Sequence, residues 1–136
     1  MPPPMASQNQ NATHRVTLTD AETTLFSVDL PSGETTGGLV MFRVHASNGT
    51  DHQSLCGTMT FAAVNKAGTI TDDETYATAN EAKAASSGTL TLAFAVNDAT
   101  NKIDVTLTPT GSLTETVYYV DFSVFMVDPK HFFSPA

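Results

Sequence analysis

Four histidines, fourteen acidic residues and one cysteine are the groups through which this 136-residue chain could do acid–base, metal or nucleophilic chemistry. The histidines are His14, His45, His52 and His131. His45 and His52 flank Ser47-Asn48-Gly49-Thr50-Asp51, where Asn-Gly is a strong hairpin signal. The two imidazoles can therefore face each other at a separation suited to a metal ion. A third ligand is not evident, since Asp51 points elsewhere if the strand continues, and two solvent-facing hairpin histidines are the plainer reading. His131 adjoins Phe132 and Phe133 and reads as packing at a terminus.

Asp72-Asp73-Glu74 offers oxygens for a Ca²⁺ ion but lacks the alternating acids and the glycine of a calcium loop, so a solvated acidic turn is the competing assignment. Cys56 lies in Gln53-Ser54-Leu55-Cys56-Gly57-Thr58-Met59 and is expected to be a small buried or half-buried strand residue. A single cysteine forms no internal disulfide, and a reactive thiol needs a positioned base. Gly-x-Ser-x-Gly, Walker, Gly-x-Gly-x-x-Gly, His-Glu-x-x-His and Cys-x-x-Cys patterns are absent. No catalytic, cofactor-binding or metal residue is assigned, and no cofactor is expected. Two sequons, Asn11-Ala12-Thr13 and Asn48-Gly49-Thr50, are what chance gives in a chain so rich in Asn and Thr.

The elements that must position these groups are announced by threonine, which occurs 22 times. It alternates with apolar residues in Val16-Thr17-Leu18-Thr19, Thr58-Met59-Thr60-Phe61, Thr89-Leu90-Thr91-Leu92 and Val105-Thr106-Leu107-Thr108. A β-branched polar residue at every second position gives a strand with one dry and one wet face. The pattern predicts an all-β fold, a single antiparallel β-sandwich or jelly roll of seven to eight strands, with at least about 40% strand and under about 10% helix.

Residues 1–13 read as a flexible N-terminal arm and 14–136 as the sandwich domain. Strands are predicted over Arg15–Thr19 and Thr24–Leu30, with a turn at 20–23. Pro31-Ser32-Gly33-Glu34 is read as a turn and Gly37-Gly38 as a hinge. Leu39–Ala46 should form a hairpin with 53–64, turned over by Asn65-Lys66-Ala67-Gly68. Residues 72–87 are open between an extended edge and a short helix, because Ala82, Lys83, Ala84 and Ala85 favour helix locally.

Gly88–Val96, Lys102–Thr108 and Glu115–Val127 complete the strands, with turns at 97–101 and 109–112, and are expected to be consecutive and antiparallel. Core positions are Val40, Phe42, Val44, Ala46, Leu90, Leu92, Phe94, Val96, Ile103, Val105, Leu107, Tyr118, Val120, Phe122, Val124 and Met126. The opposite faces of two strands carry Leu39, Met41, Tyr119, Phe125 and Val127. They are too apolar to meet only water, which predicts self-association.

A net charge of −8 repels phosphate backbones and anionic membrane surfaces. No apolar run approaches the roughly 20 residues of a spanning helix. Nucleic-acid and membrane partners are therefore excluded as expectations. The first residues have neither the basic nor the apolar region of a secretory signal.

Val64-Asn65-Lys66-Ala67-Gly68-Thr69-Ile70-Thr71, Ala85-Ser86-Ser87-Gly88-Thr89-Leu90-Thr91-Leu92 and Leu113-Thr114-Glu115-Thr116-Val117-Tyr118-Tyr119-Val120 together resemble β-sandwich modules of tailed-phage virion proteins. Such modules occur in tail fibres, adaptors and capsid decorations. The resemblance covers about residues 61–127. It implies a non-enzymatic virion component that forms a homotrimer and docks on the major capsid protein or another virion structural protein. The alternative is a module that binds a host surface glycan or receptor, for which Tyr76 and the 97–101 turn are the candidates. Residues 1–13 are expected to serve as the attachment element.

Overall fold

The computed structural model describes residues 12–114 and 116–126, and the backbone of 133–135. Expectations placed on the arm over residues 1–11, on Glu115 and Val127, on His131 and Phe132, on the side chain of Phe133, and on the sequon at Asn11 lie outside the described residues.

Ten strands are present among the described residues: β1 (His14–Leu18), β2 (Thr23–Asp29), β3 (Thr35–Ser47), β4 (His52–Lys66), β5 (Thr69–Thr75), β6 (Ala82–Ala85), β7 (Leu90–Ala99), β8 (Lys102–Gly111), β9 (Val117–Met126) and β10 (Phe133–Pro135). Every pairing is antiparallel. One sheet runs β1-β9-β3-β4-β5, with β6 also paired to β4; the other runs β10-β2-β8-β7. The two form the predicted β-sandwich. The count exceeds seven to eight because three short edge strands carry too little apolar signal to be read. β6 has no buried residue, β10 spans three residues, and β5 holds the acidic run.

The core follows the predicted parity. Val40, Val44, Ala46, Ile103, Val105, Leu107 and Val120 have no exposed surface. Phe26 of one sheet meets Phe61 and Phe122 of the other at centroid separations of 5.8 and 5.9 Å. Leu25 and Phe26 are consecutive yet both buried. A bulge between Thr24 and Phe26 breaks the alternation and turns both inward. Leu92 and Phe94 are only half-buried, and Phe94 lies beside Phe42 and Tyr76.

The β3–β4 hairpin and the turn at 65–68 form as read, with positive φ at Gly49, Ala67 and Gly68. Asn65 ties three loops together. Its Nδ2 donates to Leu30 O (2.8 Å) and Asn101 Oδ1 (3.0 Å), and its Oδ1 accepts from Gly68 N (2.9 Å).

Four local expectations are corrected. Gly37 and Gly38 are no hinge but lie inside β3, where a Cβ on Gly38 would stand 2.8 Å from Phe125 O and 3.0 Å from the Phe61 ring. Pro109 does not end its strand but pairs with Leu92; β2 pairs only as far as Leu107, so β8 has a free side there for a residue without an N–H. The turn placed at 97–101 narrows to Thr100-Asn101, with β7 running to Ala99. β7 and β8 are neighbours, but β9 crosses to the other sheet between β1 and β3. Residues 72–87 resolve into β5, a single 3-10 turn at Thr78–Asn80, and β6.

Candidate functional site

The outer face of the β1-β9-β3-β4-β5 sheet gathers most of the chemically distinctive side chains. Register fixes which residues share it. Arg15, Asp121, Arg43 and Cys56 form one row across β1, β9, β3 and β4. Thr17, Tyr119, His45 and Ser54 form the next, and Phe125, Leu39 and Thr60 form another two steps to the other side. The inward neighbours of these residues build the core, so the sandwich holds the row rigidly.

Arg15 grips Asp121 with two hydrogen bonds, Nε to Oδ1 at 2.6 Å and Nη2 to Oδ2 at 3.0 Å. Arg43 Nη2 donates to the same Oδ2 at 3.0 Å. The hydrogen bond from Arg15, joined by that from Arg43, holds the Asp121 carboxyl below the usual carboxylate range. Two guanidinium groups on one carboxylate leave a surplus positive charge. These are the only arginines in the chain.

The Arg15 guanidinium also sits 4.1 Å from the centroid of the Tyr119 ring, a cation–π contact. Tyr119 stacks on His45 at 4.7 Å, and His45 stands 6.2 Å from His52. Desolvation, reinforced by the nearby Arg43, pushes the His45 pKa down and keeps the ring neutral near pH 7.

The structure thus brings His45 and His52 together, as the hairpin predicts. No group of three or more His, Cys, Asp or Glu suited to a metal ion occurs among the described residues. Asp51 is turned aside, accepting a hydrogen bond from Ser86 Oγ at 2.9 Å. A shallow groove of about 350 Å³ lies beside the pair, lined by His45, His52, Ser54, Ala84 and Ser86 among others. Cys56 is exposed rather than buried or half-buried. Leu55 points into the core, so the alternation of β4 sends its neighbour to the outer face.

Beside the charged row, Phe125 is 59% exposed and Met41 56%, with half-buried Leu39 two residues before Met41 on β3 and opposite Phe125 of β9. Of the apolar outer positions read from the sequence, Phe125 and Met41 are thus more than half exposed, and Leu39 is half-buried. Tyr119 is half-buried under Arg15.

Acidic groups collect elsewhere. Asp72-Asp73-Glu74 is part of β5, not a turn. Asp73 points to the outer face, while Asp72 and Glu74 alternate toward the other sheet. Burial, a hydrogen bond with Asp98 on β7 and the charge of that neighbour push the Asp72 carboxyl up to about 6.

Tyr76 is no free sugar platform. Its ring packs on Phe42 and Phe94, its hydroxyl donates to Glu81, and burial raises its pKa. In the 97–101 segment, Asn97 Nδ2 donates to Glu22 and Asn101 Oδ1 accepts from Asn65. The sequon residue Asn48 accepts from the Thr50 and Asp51 amides, closing the hairpin turn.

Sequence reasoning found the two-faced strands and the histidine pair. It missed the Arg15–Asp121–Arg43 cluster and the Asp72–Asp98 contact, which join residues brought together only by strand register and sheet packing.

The arrangement defines an all-β antiparallel sandwich that presents one cationic, aromatic and apolar sheet face. No protein-family model matches the chain, and no curated protein matches it. Among solved structures, the chain is similar to the crystal structure of Acinetobacter baumannii phage AM24 tailspike protein, with a TM-score of 0.39 and 7% identity. The similarity covers 90% of this chain and 28% of that chain. At that level the likeness adds nothing to what the two sheets establish by themselves.

Proposed function

We propose that this chain is a non-enzymatic structural component of a virus particle, located in the virion as a capsid decoration, head fibre or tail-associated protein. It assembles with itself, as a homotrimer, and docks on the major capsid protein or another virion structural protein. The observation that carries this reading is the outer sheet face, where Phe125 and Met41 are more than half exposed beside Leu39 on strands of ten and thirteen residues. A rigid sheet that leaves large apolar side chains in water is a contact surface awaiting a partner. Closed symmetry is the ordinary way to cover such a face.

The resemblance of residues 61–127 to virion sandwich modules supports the same class. So does a site built for contact: cations, stacked rings and apolar side chains on a flat sheet are suited to recognition between proteins. The test is negative-stain imaging of gradient-purified particles labelled with an antibody raised to this chain. Label at a fixed, repeating position on the particle is the expected result. Purified particles that contain none of the chain would overturn the proposal.

A further inference from the structure

The two charged margins of the outer sheet face are diagonally opposed. Arg15, on the outermost strand β1, lies in the row of Arg43; Asp73, on the opposite margin β5, lies in the row of Gly37. Arg15 and Asp73 are thus four strands and six residues apart, about 28 Å at ordinary strand spacing and rise. Leu39 and Met41, on the central strand β3, stand midway along that diagonal, with Phe125 beside Leu39. One corner carries two guanidiniums around a single carboxylate. The other carries Asp73, for which no ion pair exists among the described residues.

We propose that this face is the contact between copies of the chain in a closed trimer. Arg15 and Arg43 of one copy lie against Asp73 of the next, and Leu39, Met41 and Phe125 are enclosed between them. The inference rests on the self-assembly proposed above and names its surface. Three considerations select a second copy as the occupant. The face spans five strands of about ten residues, or about 800 Å² for each copy to cover, which a trimer divides between its two neighbours. Its charges are complementary to themselves only when opposite corners meet. An approach that set the Arg15 corners of two copies together would oppose their surplus cations, which is costly. A contact between two different patches closes into a ring when its rotation permits. With the diagonal set across a three-fold axis, each Arg15 corner meets the next copy's Asp73 corner. The midway apolar residues then face the axis.

Light scattering on the full chain at micromolar concentration tests this with four variants: Arg15→Asp, Asp73→Arg, the double exchange, and Phe125→Ser. Circular dichroism confirms that each is folded. The wild type should give about 43 kDa, three copies of the 14.4 kDa chain. Each single reversal and Phe125→Ser should weaken association at least about tenfold, and the double exchange should return to within about threefold of wild type. A wild type of 14.4 kDa would overturn the self-assembly reading itself. A trimeric wild type whose single reversals remain trimeric overturns only the placement of this contact. So does a double exchange that stays dissociated, or a Phe125→Ser variant that assembles normally.

Discussion

Phe122 and Phe125 are three residues apart on β9 but on opposite faces, and truncating each should have opposite consequences. Phe122 is 1% exposed, stacks on Phe26 at 5.9 Å, and lies 5.6 Å from His14. Phe122→Ala removes roughly 100 Å² of apolar surface from the interior, about 2.5 kcal/mol at 25 cal/mol per Å². The cavity adds about 1–2 kcal/mol, since Phe26 is anchored on the facing sheet and cannot collapse fully into the space. The expected loss is about 3–5 kcal/mol. Phe125→Ala, on the outer face, should change the stability of the dissociated chain by less than about 0.5 kcal/mol while weakening assembly. Urea unfolding monitored by circular dichroism, at concentrations where the chain is dissociated, measures both. A loss below about 1 kcal/mol for Phe122→Ala, or a larger loss for Phe125→Ala, would refute the assignment of faces.

Phe94→Ala should cost less than Phe122→Ala, about 2–3 kcal/mol, because Phe94 is half-buried at the rim; an equal or larger loss in urea unfolding would place it in the centre of the core. Asn65→Ala should cost about 2–4 kcal/mol by stranding the Leu30 carbonyl and the Gly68 amide, and a melting temperature within a degree of wild type would contradict that role. Gly38→Ala should cost about 1–3 kcal/mol, since its Cβ would press on the Phe125 carbonyl; a neutral result would show that β3 and β9 yield easily there. Asp72 is expected to make stability depend on pH. Its folded pKa of about 6 exceeds the ordinary aspartate value of 3.8, so the folded state binds more protons between those values and stability falls as pH rises through that window. The shift sets a ceiling of about 3 kcal/mol, which solvent screening at the sheet edge reduces to about 1. Melting at pH 5 should therefore exceed melting at pH 7, and Asp72→Asn should flatten the difference. Below about pH 4 the depressed Asp121 works the other way, and the stability it contributes is lost as that carboxyl protonates.

Much of this architecture is legible in the sequence because period-two patterning survives wherever one face is dry. Residues 39–46 of β3, 102–108 of β8 and 117–126 of β9 could be read residue by residue, down to the inward set from Tyr118 to Met126. The same parity exposed the second apolar face of β3 and β9. What stayed hidden lacks a local signal. β6 is four exposed residues with helical propensity, held as a strand only by pairing with Gln53–Cys56 of β4. The passage of β9 to the opposite sheet depends on which strands it meets, not on its own residues. Gly37-Gly38 looks like a hinge until the approach of Phe61 and the Phe125 carbonyl explains why side chains are excluded there. Cys56 faces outward because Leu55 beside it takes the core position on β4. The Arg15–Asp121 pair spans 106 residues and exists only in the register of β1 on β9.

Sedimentation equilibrium on the purified full chain tests the central claim, that this sandwich is a self-assembling particle component, most directly. The account predicts a single species of about 43 kDa, three times the 14.4 kDa chain, across the low micromolar range and weakened by high salt. A homogeneous 14.4 kDa species at every concentration would contradict it.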